Sequence, residues 1–239
     1  MEALIFDCDG VLVDTERDGH RVAFNMAFKE MGITVKWDVD EYKELIKVAG
    51  GKERMKFYFE KFGWPQQFSD KAQLIVDLHS LKTKFFMQLI ESGKLPLRRG
   101  IKRLIDEAIS EGIKLAVCST SNEKSVNLII EKLIGEKRRT HFNGIFAGDV
   151  VSRKKPDPEI YKLCATKLKL IPHNCFVVED SRNGLLAAKD AGFNCLVTTN
   201  DYTKDENFSE SDILVDELGE GKDTKITIDT LNEFIINNK

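Results

Sequence analysis

The sequence predicts an α/β fold: a doubly wound parallel sheet with a small all-helical domain inserted after its first strand. Three observations predict it. Beyond about residue 95, short apolar runs alternate with helical patterns, the signature of parallel strands covered by helices on both faces. Residues from about 15 to 95 carry aromatic-rich helical patterns and no convincing strand. The opening "ALIFD" (3–7) belongs with the distant later strands by composition. The expected division is therefore a core of residues 1–15 and 96–239, with residues 16–95 as the helical insertion.

The elements follow in order. "HRVAFNMAFKEMG" (20–32) and "LHSLKTKFFMQLIESG" (78–93) are helical in the insertion, and "KLPLRRG" (94–100) brings the chain back. In "GIKRLIDEAISEG" (100–112), Ile101, Leu104, Ile105, Ala108 and Ile109 form one helical face. Gly112 stops that helix. The remaining strands are "KLAVC" (114–118), "GIFAG" (144–148), "CFVVE" (175–179) and "CLVTT" (195–199). Between them lie the helical stretches 122–135, 157–170 and 181–192. Pro156 and Pro158 stand where the second of these helices begins, a place that tolerates proline. "DYTKDENFSESD" (201–212) reads as a polar loop, and a closing helix starts near Thr227 or Asp229, either of which suits an N-cap.

Bulk properties exclude several classes. The chain has 239 residues, 42% hydrophobic and 31% charged, with a net charge of −3. Interleaved charges of both signs give no reason to expect nucleic acid or an anionic membrane as partner. No apolar run is long enough to span a bilayer, and no signal peptide is visible. The expected setting is soluble, with the compartment open because a transit peptide could precede Met1. Five widely spaced cysteines without a C-x-x-C pair argue for reduced thiols. A monomer is expected.

In an open parallel sheet, ligands bind at the carboxyl ends of the strands. Asp7 and Asp9 follow the first strand. Ser119, Thr120, Ser121 and Asn122 follow the second. Lys154 and Lys155 come after the third, and Glu179 and Asp180 end the fourth. Each group has an alternative meaning when taken singly. Asp9–Gly10 could be a turn, and the serines a helix N-cap. The lysines could be solvated, and the acids could be first-turn acids on a helix. Their common placement on one sheet edge favours a site.

Carboxylates from separate strand ends suit a hard cation, with Mg2+ the natural candidate. Without one they would repel each other and raise one another's pKa. A lysine and hydroxyls beside them suit a phosphoryl group. There is no G-x-x-x-x-G-K-[ST] loop and no G-x-S-x-G elbow. The four histidines, His20, His79, His141 and His173, lack metal-ligand spacing.

"FDCDG", Ser119 after "LAVC", Lys155 before Pro156, and "VVEDS" resemble, in order, the four motifs of the haloacid dehalogenase-like phosphatases. The likeness covers essentially the whole chain. It implies a Rossmann-like core, and the helical insertion matches the subgroup with a small helical cap, which includes β-phosphoglucomutase. "VDTERDGHRVAFN", "GGKERM", "AVCSTSNEKSV" and "FAGDVVSRKKPDPEIY" are similar to the CbbY-type branch of photosynthetic organisms. That branch implies a sugar phosphatase that removes xylulose 1,5-bisphosphate, an inhibitor of Rubisco. It also implies a place in the chloroplast stroma for a photosynthetic eukaryote, and a cytoplasmic one otherwise.

The resemblance carries roles onto particular residues. Asp7 would attack phosphorus, and Asp9 would protonate the leaving oxygen and later deprotonate water. Mg2+ would be held by Asp7, the backbone carbonyl of Asp9, and Asp180, with Glu179 a second acidic neighbour. Ser119 and Lys155 would hold the phosphoryl group, flanked by Thr120, Ser121 and Asn122. A halide leaves without a proton, so a dehalogenase has no use for Asp9. The cap would choose the substrate through Glu16, His20, the run Gly50, Gly51, Lys52 and Arg54, and Lys82. Lys52, Arg54 and Lys82 are candidates for the second phosphate of a bisphosphate, although charges on helices are as often a solvated face. Two competing readings stand beside this one: a sugar-phosphate mutase on the same scaffold, and a non-catalytic phosphate- or sugar-binding protein. The intact set Asp7, Asp9, Ser119, Lys155 and Asp180 speaks against the latter.

Overall fold

The computed structural model describes residues 1–48 and 50–238. The chain divides into two compact units: residues 1–14 with 96–239, and residues 15–95.

The first unit is built on six parallel strands: β1 (Ala3–Phe6), β2 (Lys114–Ser119), β3 (Phe142–Ala147), β4 (Cys175–Glu179), β5 (Asn194–Thr198) and β6 (Ile213–Val215). Their spatial order is β3-β2-β1-β4-β5-β6. This is the doubly wound order, in which the direction of winding reverses at β1 and opens a crevice at the strands' carboxyl ends. Register is set by period-two alternation. Ala3 and Ile5 share a face with Ala116, Cys118, Cys175, Val177, Cys195 and Val197, all fully buried. Leu4, Phe6, Leu115, Val117, Phe176, Val178 and Leu196 are also fully buried, and alternation puts them on the opposite face. Burial on both faces is why these strands read as continuous apolar runs rather than alternating ones.

Four helices of the second unit come first along the chain: α1 (Arg21–Glu30), α2 (Val39–Leu45), α3 (Gly51–Phe62) and α4 (Lys71–Glu91). A wide π-helical turn, Thr15–His20, leads into α1. No strand occurs among the described residues of this unit. Its core is aromatic. Trp37 lies with ring centroids 4.9 Å from both Phe24 and Phe28, and Phe28 meets Phe59 edge-on at 6.1 Å. Asp38 and Asp70 cap α2 and α4 by accepting from backbone N–H groups three residues on.

The sheet unit continues with α5 (Ile101–Ser110), α6 (Glu123–Ile129), α7 (Glu136–Arg139), α8 (Glu159–Leu168), α9 (Arg182–Asp190) and α10 (Ile228–Asn237). Ile160, Tyr161 and Cys164 of α8, with Leu185 and Ala188 of α9, pack on the odd-numbered face of β1. Phe234 of α10 packs edge-on against Phe176 at 5.4 Å, on the other face. Gly112 ends the turn after α5 at φ +68°, and Thr227 caps α10 through a reciprocal pair with Thr230, so Asp229 is not the cap. All five cysteines are buried free thiols. No described helix is long and apolar enough to cross a membrane.

Candidate active site

The site assembles at the carboxyl ends of β1, β2 and β4, where the winding reverses. After Phe6 the chain extends the ladder for one more residue, since the Asp7 N–H donates to Val178 O at 2.9 Å. It then turns sharply. Leu12 N–H returns to Cys8 O at 3.0 Å, and Gly10 N–H to Val13 O at 2.8 Å. Gly10 adopts φ +81°, and a Cβ there would lie 2.0 Å from Asp180 Oδ2. Only glycine fits both demands. Cys8 is fully buried, so alternation along the strand leaves Asp7 and Asp9 on the other side.

Lys155 is the hub. Its ammonium donates to Asp7 Oδ1 at 2.6 Å, to Glu179 Oε1 at 2.6 Å and to Cys118 O at 3.0 Å. It also lies 4.9 Å over the Tyr161 ring. Burial alone would lower its pKa, but the Asp7 and Glu179 carboxylates override that and hold it above the usual lysine value. Glu179 is fixed on every side. Tyr161 donates its hydroxyl to Oε1 at 2.6 Å, Oε2 accepts from the Asp180 N–H at 3.2 Å, and Gly184 leaves room for the carboxylate, where a Cβ would stand 1.9 Å from its Cδ.

One oxygen from each of Asp7, Glu179 and Asp180 lies within 4.8 Å of the others, and all three residues are buried. Burial pushes the Asp7 carboxyl up to about 7, against the pull of Lys155 and with help from Glu179 and Asp9. Asp180 is raised well above the ordinary carboxylate range, first by burial and then by Glu179 and Asp7. Three buried carboxylates face the Lys155 ammonium, with the Arg98 guanidinium a second positive charge acting on Asp180, and the remaining deficit of positive charge fits a divalent cation bound by oxygen ligands.

Asp9 is not part of that cluster; Ser121 Oγ donates to its Oδ2. Ser119, almost fully buried at the end of β2, accepts the Ser121 N–H on its Oγ at 3.1 Å. Thr120 is exposed. Asn122 is the N-cap of α6, accepting from Lys124 N–H at 3.0 Å, so the serines do not serve as that cap, and the Ser121 hydroxyl is left to Asp9. Lys154, unlike Lys155, turns away, pairing with Asp149 at 3.0 Å.

Asn200 and Tyr161 belong to the site and were not expected from sequence. Asn200 Nδ2 donates to Asp180 Oδ2 at 2.7 Å. It follows β5, so the strand-end rule, carried one strand further, finds it. Tyr161 sits in an amphipathic helical pattern and carries no such signal.

The helical unit gathers a second polar cluster. Arg54, buried, donates from Nη1 to the Tyr42 hydroxyl, which donates to Glu16 Oε2 at 2.7 Å. Arg54 Nε is buried with no hydrogen-bond partner. Lys82 lies 5.1 Å over Phe24 and 5.5 Å over Phe86, and burial pulls its pKa down to about 8, with Glu16 raising and Arg54 lowering it. His20 packs on Phe86 with centroids 3.9 Å apart. Gly50 is at φ +89° beside the Glu53 carboxylate, and Gly51 abuts His79 and Phe24. Lys52 is exposed.

A family profile for haloacid dehalogenase-like hydrolases matches residues 1–192. The chain is 54% identical to a CBBY-like protein of Arabidopsis thaliana over 222 residues, covering 91% of this chain and 69% of the relative. It is 42% identical to Protein CbbY of Cereibacter sphaeroides over 221 residues, covering 92% and 94%. A crystal structure of a mutant CbbY from Rhodobacter sphaeroides, in complex with xylulose-(1,5)bisphosphate, superposes with a TM-score of 0.73 at 40% identity, covering 92% of this chain and 96% of that one. The chain belongs to the haloacid dehalogenase-like hydrolases and is an enzyme. Within that family its likeness is to proteins named CbbY.

Proposed function

We propose that this phosphatase removes one phosphate from a sugar bisphosphate through an aspartyl phosphate, with xylulose 1,5-bisphosphate as the substrate. The observation that carries the chemistry is Asp7 Oδ1, 2.6 Å from the Lys155 ammonium, in a buried carboxylate cluster. The substrate rests on the bisphosphate held by the related CbbY and on the second cationic cluster of this chain. Relief of Rubisco inhibition is the role such a reaction would serve.

Asp7 is the nucleophile. Its oxygen forms a bond to phosphorus as the bond from phosphorus to the sugar oxygen breaks. Asp9, oriented by Ser121, gives its proton to that departing oxygen. It then takes one from the water that cleaves the acyl phosphate, so a single group serves as acid and base. Lys155, kept charged by its two carboxylates, offers its ammonium to the transferring phosphoryl oxygens, and Ser119 adds a hydroxyl. Tyr161 and Gly184 fix Glu179, which in turn aims Lys155. Asp7, Asp180 and the backbone carbonyl of Asp9 would hold Mg2+, with Glu179 adjacent. Bound there, the ion neutralises the carboxylates and polarises phosphoryl oxygens.

In the helical unit, Arg54 and Lys82 are the ligands for the distal phosphate. Arg54 has a buried, unpartnered Nε–H, and Lys82 has a depressed pKa. The two cations share one carboxylate, Glu16, which lies 3.7 Å from Arg54. Glu16 and Tyr42 hold Arg54 in place.

A substrate panel tests the reading. Phosphate release from xylulose 1,5-bisphosphate is expected to exceed release from sugar monophosphates. Isomerisation of β-glucose 1-phosphate without phosphate release would overturn it in favour of a mutase.

A further inference from the structure

Arg98 lies where the chain re-enters the sheet unit, and no catalytic step uses it. Its guanidinium donates to four backbone carbonyls: Gly10, Thr198 at 3.0 Å, Thr199 at 2.6 Å and Asp216 at 3.0 Å. These lie in the turn after β1, at the end of β5 and just past β6. The Arg98 N–H also donates to Leu12 O at 2.9 Å, and Leu97 bridges to Val13. A rigid planar fork is suited to spanning several carbonyls in this way.

The consequence falls on one peptide. Gly10 N–H is held by Val13 O, and Gly10 C=O is held by Arg98. Both peptide planes flanking the Gly10 Cα are therefore fixed. Because a trans peptide is planar, fixing the Gly10 N–H also fixes the Asp9 carbonyl, which points away from Val13. Gly10 itself rests on Asp180, whose Oδ2 accepts from Asn200. Asn200 directly follows the Thr198–Thr199 carbonyls that Arg98 holds.

We propose that Arg98 is a positioning residue for the cation site: it sets the Asp9 carbonyl and the Asp180 carboxylate, without touching substrate. This rests on the reading above that those groups hold the metal. A matched control exists in the same unit. Arg103 on α5 donates in the same manner to the carbonyls of Leu218, Gly219 and Ile226, and none of these carries a proposed ligand. The two arginines therefore separate stapling of backbone from positioning of the site.

The test compares Arg98→Met, Arg98→Lys and Arg103→Met with the unmodified protein. Mn2+ binding is followed by electron paramagnetic resonance without substrate, and turnover is followed with para-nitrophenyl phosphate. Arg98→Met is expected to weaken Mn2+ binding by at least about tenfold and to lower kcat by about 10- to 100-fold, the cost typical of groups that orient metal ligands. KM is expected to stay within about threefold, since substrate contacts are intact. Arg98→Lys keeps the charge but not the fork, and is expected to recover little. Arg103→Met is expected to lower the melting temperature while leaving Mn2+ affinity and kcat unchanged. Mn2+ affinity in Arg98→Met equal to that of the unmodified protein would overturn the proposal alone. Failure of the unmodified protein to bind Mn2+ would overturn the metal reading and the proposal with it. Loss of folding in both Arg98 variants would make the residue a stability element and overturn the positioning role.

Discussion

Two lysines, one in each unit, have opposite surroundings. Lys155 is clasped by two carboxylates at 2.6 Å and is held charged. Lys82 lies over two phenyl rings, and burial draws its pKa down to about 8. The sheet unit has more buried negative charge than it can neutralise. The helical unit has cations without enough anion. A carboxylate-rich site deficient in positive charge suits a metal and a phosphoryl group in transfer. A cationic cluster deficient in negative charge suits a phosphate that is held and not cleaved. Chemistry and selection should therefore fail separately when the two are disturbed.

The largest effect belongs to Asp7→Asn. Removing the nucleophile is expected to lower kcat by at least about 10^4-fold. The protein should still fold, with a melting temperature equal to or above that of the unmodified protein, because the change removes a like charge from a buried cluster. Turnover at the unmodified rate would sink the assignment of Asp7. Next comes Asp9→Asn, which deletes the proton donor and is expected to cost about 10^2- to 10^4-fold in kcat. The loss should be greater for a sugar phosphate than for para-nitrophenyl phosphate, whose leaving group needs no proton. An equal loss on both would remove the acid–base role. Ser121→Ala, which only releases Asp9, should cost about tenfold or less, in line with one hydrogen bond to a charged group.

Much of the sheet unit was legible because its strands are buried on both faces and therefore read as apolar runs with polar ends. Asp7, Asp9, Ser119, Thr120, Ser121, Asn122, Lys154, Lys155, Glu179 and Asp180 all stand out by that rule, which does not separate the clustered residues from exposed Thr120, the N-cap Asn122 or Lys154 on Asp149. β6 did not, because a strand of three residues, Ile213–Val215, is too short to show a period. β3 begins at Phe142, before the apolar run at Gly144, because pairing with β2 extends it and a register irregularity intervenes. Asn200 follows β5 by two residues and falls under the same rule. Tyr161 and Arg98 act across long separations in sequence, Arg98 reaching carbonyls 88 to 118 residues away, and no local pattern encodes such contacts. In the helical unit, Glu16, Arg54 and Lys82 meet, while Lys52 is exposed and the Gly50 turn already faces Glu53. Helical charge patterns could not separate these, because a substrate ligand and a solvated lysine look alike in sequence.

Lys82→Met tests the second half of the contrast. Loss of a charged ligand is expected to raise KM for the bisphosphate by about tenfold or more. The kcat and all parameters for para-nitrophenyl phosphate should stay unchanged. The same substitution should stabilise the free protein by on the order of 1 kcal/mol at pH 7, because folding desolvates the ammonium. Lower affinity with a higher melting temperature would mark a residue kept for binding. A drop in both would make Lys82 a packing residue instead.

The smallest effect is in the pH profile. A lysine with its pKa drawn down to about 8 is charged below that pH and loses its proton as pH rises through it. The groups that set this value are Glu16 on the π-helical turn, which raises it, and Arg54 on α3, which lowers it. On its own helix, His79 has its own pKa lowered by burial and then by Lys82 and Lys52, so it is neutral above pH 7 and adds no competing step. If only charged Lys82 binds the distal phosphate, KM for the bisphosphate should rise by about threefold from pH 7.5 to 8.5. KM for para-nitrophenyl phosphate should show no such step, because that substrate has no second phosphate. In Lys82→Arg, whose guanidinium stays charged across this range, the step should vanish. A step that survives in Lys82→Arg would belong to another group and would separate Lys82 from the distal phosphate.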